Sequence, residues 1–135
     1  MTAVQIGALG EALVTAEFAK LGVAVYLPIG DGVTADLIAE FGDRPQRIQV
    51  KTSAHEGDKV RFNLQHRIRG GIAPYEDGSL DWYALVSTHH GRVCLIPFVP
   101  HESAATIAFK GDAGRARRAD EIELSAVVRR MNDES

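Results

Sequence analysis

Two apolar runs, residues 35–41 and 47–53, flank the turn signal Gly42-Asp43-Arg44-Pro45, and polar side chains stand inside both of them. This pattern predicts two adjacent strands. In the second run, alternation sets Ile48, Val50 and Thr52 on one face and Arg47, Gln49, Lys51 and Ser53 on the other. The first run carries Asp36. An acid, an amide and an ammonium are costly to bury without partners, so the fold must bring them to one another or to an open edge. A four-residue turn over 42–45 would pair Phe41 with Gln46 and set Asp36 across from Lys51. A five-residue turn would pair Phe41 with Arg47 and rotate Asp36 onto the Val50 face, unless a bulge corrected it.

Around this pair, residues 4–21 predict an amphipathic helix, with Leu9, Ala12, Leu13, Ala16 and Ala19 at three- and four-residue spacing and Gly22 closing it. Gly7 and Gly10 each weaken that helix by roughly 1 kcal/mol relative to alanine, which predicts that another segment approaches its backbone there. Glu11 follows on the glycine-bearing side. Strands are expected at 23–27, 60–64, 82–87 and 92–98, with a loop at 28–32 and the His89-His90-Gly91 turn between the last two strands. Residues 70–80 read as loop, 101–109 as a short helix or an extended edge, 111–118 as a basic loop and 124–131 as a terminal helix. One helix, several strands and then mixed material predict an α/β or α+β sheet with helices packed on it.

At 135 residues, the chain predicts a single domain over 1–135. Cys94, the one cysteine, has no internal partner and reads as a small core residue. No run reaches the ~18 apolar residues of a membrane helix, and no basic segment followed by an apolar core opens the sequence. The expected setting is therefore reducing and cytoplasmic, with no membrane. The net charge of −3 excludes a uniformly basic nucleic-acid binder. That average hides a segregation: residues 1–43 hold six acids and one base, whereas 44–69 hold seven Lys/Arg against Glu56 and Asp58.

Acid, amide and lysine converging on one sheet edge suit phosphodiester hydrolysis. A carboxylate holds Mg²⁺, an amide or main-chain carbonyl oxygen completes the shell, and the lysine positions water or balances developing charge. A buried Asp–Lys salt bridge beside an incidental glutamine accounts for the same residues. A dinucleotide site is disfavoured, because Gly7-Ala8-Leu9-Gly10 has no strand before it and lacks the G-x-G-x-x-G spacing.

Gly7-x-x-Gly10-Glu11 on an opening helix, Asp36 on a strand and Gln49-Val50-Lys51-Thr52-Ser53 on the next strand resemble the PD-(D/E)xK nuclease superfamily. Within it, the likeness is to the small group I intron-encoded homing endonucleases, whose motif carries glutamine in place of the second acid. Tyr75, the Asp81-Trp82-Tyr83-Ala84 strand start and the strand at 93–97 extend the likeness over roughly residues 4–100. It implies a restriction-endonuclease-like fold, a mixed β-sheet flanked by α-helices. It also implies a metal-dependent endonuclease of double-stranded DNA. Carried onto this sequence, Glu11 and Asp36 are the metal carboxylates, Val50 contributes its carbonyl, Gln49 is a ligand or water-orienting group, and Lys51 is the catalytic lysine. Ala35 stands where the motif has proline, and Gln49 removes one negative charge, so a single Mg²⁺ is expected. DNA contact falls to Arg44, Arg47, Lys59, Arg61, Arg67 and Arg69, joined by Arg115, Arg117 and Arg118, with Gln65 and His66 placed to reach base edges. Cutting two strands with one small domain implies a homo-oligomer, a dimer or a tetramer. A Holliday junction-resolving or repair nuclease of the same fold and a non-catalytic DNA-binding module are the alternatives.

Overall fold

The computed structural model describes residues 1–30 and 33–135. Helix α1 (Ala3–Lys20) opens with a capping box, in which the Thr2 hydroxyl accepts from the Gln5 N–H and the Gln5 side chain accepts from Thr2 N–H. Strands β1 (Val25–Tyr26), β2 (Leu37–Phe41) and β3 (Arg44–Ser53) follow. Next come β4 (Lys59–Asn63), β5 (Gln65–Ile68), β6 (Gly71–Pro74), β7 (Trp82–Ser87), β8 (Arg92–Pro97), β9 (Ala104–Ala108) and β10 (Arg117–Arg118). A 3₁₀ turn at Ala119–Glu121 leads into helix α2 (Leu124–Asp133). Of the loop expected at 28–32, residues 31 and 32 lie outside the described residues.

The main sheet runs β1-β2-β3-β7-β8, antiparallel except for the parallel pair β3–β7. Period-two alternation along its strands feeds two cores. On one face Leu37, Ile48, Trp82, Ala84 and Leu95 meet Val14 and Phe18 of α1 and Leu124, Val127 and Val128 of α2. On the other face Tyr83, Leu85, Cys94 and Ile96 meet Val60, Phe62 and Ile107 from a second sheet ordered β10-β9-β4. Each large apolar side chain fully buried this way contributes roughly 1.5–3 kcal/mol. β7 is buried at all six positions because both its faces are covered.

The β2–β3 turn has two residues, Gly42-Asp43, and pairs Phe41 with Arg44. Neither longer turn expected from the sequence forms. Gly42 alone takes a positive φ there, 70°, the requirement of a type II′ hairpin turn. Arg44 and Pro45 therefore belong to the strand. Proline is tolerated because its nitrogen faces the same edge as the Arg47 N–H, which donates to Asp81, and β7 begins only at Trp82, opposite Ile48. No ladder bond is lost. Compared with the four-residue turn, the register moves by two residues, an even number, so Asp36 stays on the face of Gln49 and Lys51.

Three further expectations change. Residues 70–80 are not all loop: Gly71–Pro74 pairs with Gln65–Ile68 in a separate two-stranded ribbon, β5–β6, that turns at Gly70. The segment 101–109 supplies β9, the middle strand of the second sheet. Helix α1 buries Gly10, Val14 and Phe18, leaving Ala12, Ala16 and Ala19 exposed, because alanine repeats on both sides of the helix and only one side carries residues large enough to fill the core.

Candidate active site

Strand β2 starts at Leu37, paired with Ile48, whereas β3 continues to Ser53. From Val50 onward β3 therefore has β7 on one edge and, among the described residues, no strand on the other. Asp36, immediately before β2, donates its N–H to the Ile48 carbonyl at 2.9 Å and turns its carboxylate into that vacated edge. One oxygen, Oδ2, accepts from Val50 N–H at 2.8 Å and from Gln49 Nε2 at 2.8 Å. Oδ1 has no hydrogen bond among the described residues. Since the N–H and C=O of one strand residue point to the same edge, the Val50 carbonyl faces this gap as well.

Glu11 arrives from the helix side. The close approach predicted at Gly10 is present: a Cβ there would overlap the Thr52 hydroxyl and sit 2.9 Å from Thr52 Cβ. Only glycine lets α1 lie this near β3. At Gly7 nothing stands within 4 Å of such a Cβ, so the same expectation does not hold there. The result is an open cleft of about 530 Å³ that Glu11, Asp36, Val50 and Lys51 line together. Burial raises the Glu11 carboxyl above its ordinary value, and the Asp36 charge adds to the rise. Burial also raises Asp36, against the opposing effects of the Val50 N–H and Lys51. Two carboxylates held together in this way favour a cation between them.

Lys51 forms no ion pair with Asp36. Its ammonium donates to the Tyr75 hydroxyl at 2.7 Å and the Gln65 carbonyl at 3.0 Å. Burial lowers its pKa, while Asp36 pulls it up. The salt-bridge account of the trio thus fails on geometry. Among the described residues no three His, Cys, Asp or Glu side chains cluster as a metal site. The available donors are instead two carboxylates and a main-chain carbonyl, all hard oxygens, with room for water. That set fits Mg²⁺, which retains several waters and needs few protein ligands.

The basic residues separate into two groups. Arg44 and Arg47 pair with Asp81 at 3.3 and 3.1 Å. Burial alone would raise Asp81, yet the bonds from Arg47 and the charges of both arginines hold it below the usual carboxylate range. Arg117 pairs with Glu102, and both line a separate hollow with Lys59 and Arg115. Among the described residues Arg61, Arg67 and Arg69 have no carboxylate partner. Arg61 shares a hollow with Lys51, and Arg67 lies on the ribbon with Arg69 at its turn. Gln65 begins that ribbon, and the His66 ring stacks on Tyr75 at 4.3 Å. In the sequence Tyr75 stands out only as part of a likeness; its contact with Lys51 depends on the ribbon, whose four-residue strands are too short for periodicity to reveal.

A family model described as PD-(D/E)XK endonuclease matches residues 1–124. The chain belongs to the PD-(D/E)XK endonuclease family. Its fold is also that of a solved structure, the bacterial homing endonuclease I-Ssp6803I, with a TM-score of 0.72 at 15% identity, covering 98% of this chain and 96% of that one. No curated protein matches the chain by sequence. The restriction-endonuclease-like arrangement expected from the sequence, a mixed sheet with flanking helices, is the one found. Divalent metal ions are the general cofactors of PD-(D/E)XK nucleases, and among the described residues no helix is long and apolar enough to cross a membrane.

Proposed function

We propose that this PD-(D/E)XK protein is an Mg²⁺-dependent endonuclease that hydrolyses phosphodiester bonds of double-stranded DNA in the manner of a homing endonuclease. The observation that carries the reading is the Asp36 carboxylate, fixed through Oδ2 by Val50 N–H and Gln49 Nε2, with Oδ1 unpartnered among the described residues, on a cleft shared with Glu11. Glu11, Asp36 and the Val50 carbonyl hold the ion. When bound, Mg²⁺ neutralises charge on the phosphate oxygens and favours attack by water. Gln49 fixes the orientation of Asp36 through its amide N–H and keeps its own oxygen for water. Lys51 sets a positive charge beside the phosphate as negative charge develops there.

The substrate lies across the open edge of β3. Arg61 supplies a phosphate contact next to the cleft, and Lys59, two residues along the same face of β4, leads towards Arg115. The β5–β6 ribbon carries Arg67, Arg69 and His66, and a two-stranded ribbon is what a B-DNA major groove admits. One cleft per chain cuts one strand, so the active form is a homodimer or a pair of dimers. The proposed setting is cytoplasmic, where the single cysteine, Cys94, stays a free buried thiol.

The test incubates the protein with linear duplex, supercoiled plasmid and four-way junction DNA, with Mg²⁺ or with EDTA. Mg²⁺-dependent cutting of linear duplex, abolished by Asp36→Asn, is expected. Cutting confined to the junction would assign a junction-resolving nuclease, and binding without cutting of any substrate would leave a DNA-binding module. Sedimentation at micromolar concentration should show a dimer or larger.

A further inference from the structure

Lysine has three donors on its ammonium group. In Lys51 two are committed, one to the Tyr75 hydroxyl at 2.7 Å and one to the Gln65 carbonyl at 3.0 Å. One N–H is left for the cleft it shares with Asp36 and Glu11. Both acceptors stand at the base of the β5–β6 ribbon, the end away from its turn. Gln65 is the first residue of β5, and Tyr75 follows Pro74, which closes the ribbon opposite Gln65. Tyr75 is itself fixed: it is 6% exposed, its ring meets Tyr83 edge-on with centroids 6.0 Å apart, and the His66 ring stacks on it at 4.3 Å. The Tyr83 hydroxyl in turn donates to the Leu64 carbonyl at 3.3 Å, at the base of the same ribbon. Among the described residues the ribbon pairs with no other strand, and beyond that base it exposes Ile68, Ile72 and its arginines.

We infer that Tyr75 is a positioning residue for Lys51: its hydroxyl, with the Gln65 carbonyl, aims the lysine's remaining N–H at the scissile phosphate, so that the seating of the ribbon sets the lysine. This rests on the nuclease reading above. Neither acceptor needs to touch DNA. A long flexible side chain at an open edge otherwise samples many rotamers, and fixing two of its three donors removes that freedom before the substrate arrives.

Tyr75→Phe keeps the ring, its stacking and its burial while deleting the acceptor. Single-turnover cleavage of duplex DNA in Mg²⁺ should fall about tenfold with the Kd for DNA unchanged, since a positioning group acts on the chemical step. In a Lys51→Ala background the same substitution should change the rate by less than about twofold, because nothing is left to position. A structural role, or a direct contact of Tyr75 with phosphate, would lower the rate equally in both backgrounds and would overturn the inference. So would an unchanged rate in Tyr75→Phe. A second readout needs no cleavage: after brief treatment with an acetylating reagent, peptide mass spectrometry should find Lys51 modified several-fold faster in Tyr75→Phe than in the wild type, with other lysines unaffected. Equal modification would refute the anchoring even if Lys51→Ala is too slow to assay. Wild-type protein that cuts no DNA, yet shows the difference in acetylation, would defeat the nuclease reading and leave the anchoring in place.

Discussion

Strands β3 and β7 lie side by side in parallel from Ile48 to Ser53, yet they meet different fates along their length. β7 has a strand on each edge and a core on each face, and all six of its residues are buried. β3 loses its outer neighbour after Ile48, and from Gln49 to Ser53 polar side chains alternate with the core-facing ones. The contrast teaches where chemistry can be placed in a small sheet. A strand closed on all sides can only supply stability, whereas ending one neighbour early opens main-chain and side-chain groups without unpinning the strand that carries them.

The sharpest way to break this comparison is to change one residue beside each strand, Asp36 next to β3 and Leu95 opposite Ala84 of β7. Asp36→Asn should lower cleavage by on the order of 10³-fold, the scale of losing a central electrostatic group, and its Tm should not rise with Mg²⁺, whereas that of the wild type should. Leu95→Ala in β8, fully buried on the helix face, should cost about 2–5 kcal/mol of stability while leaving the cleavage rate per folded molecule near that of the wild type. Urea unfolding and single-turnover kinetics on both variants would check the pair. A large rate loss in Leu95→Ala at full folding would dissolve the distinction.

Gly10 joins the two regions, since it sets the distance from α1 to β3 and so brings Glu11 to the cleft. Gly10→Ala should destabilise by about 1–3 kcal/mol through overpacking against Thr52, outweighing the roughly 1 kcal/mol that alanine favours in a helix. It should also slow cleavage, and adding Thr52→Ala should restore part of both losses. Chemical denaturation and cleavage assays on the single and double variants measure this directly.

Acidity sharpens the same comparison. Burial first, and the Asp36 charge second, raise Glu11 above its ordinary value, and burial raises Asp36 above its own. In the absence of metal, a carboxyl with a raised folded-state pKa favours the native state below its unfolded value and loses that contribution as pH rises through the folded one. Metal-free Tm should therefore fall as pH climbs from about 4 through that window, less so in Asp36→Asn, while Mg²⁺-dependent cleavage rises over the same range as the carboxylates ionise. Melts in EDTA set beside pH–rate profiles would show the opposite slopes.

The smallest effects are expected among the arginines. Arg61→Ala or Arg67→Ala should weaken DNA binding and reduce the slope of log K against log salt by about one. Arg44→Ala should change that slope less, because its charge is already engaged by Asp81. Binding titrations across a salt series would rank them.

Much of this was legible in the sequence, for physical reasons that also mark its limits. Alternation sets Gln49 and Lys51 on one face, an even turn length adds Asp36 to it, and Gly10 beside Glu11 announced a close helix approach. The length of the 42–45 turn was not legible, since Pro45 reads as a turn residue until the Trp82 start of β7 shows that its nitrogen faces no strand. The ribbon was equally hidden. Gly70-Gly71 and Pro74 are loop residues by composition, and only tertiary support from Lys51, Tyr75 and Tyr83 fixes their base. The engagement of Arg44 and Arg47 by Asp81 joins residues more than thirty positions apart, beyond the reach of any local pattern.

The even shift of register at Gly42-Asp43 bears on how such a gene can drift. A single codon gained or lost in that turn turns the Asp36 carboxylate to the far side of the sheet and silences the cleft in one step, unless a bulge absorbs it. Two codons together leave every side chain on its own side. Descendants of this chain that still cut should therefore differ in the length of this turn by pairs of residues, a parity carried in the reading frame by the pleat of a β-strand.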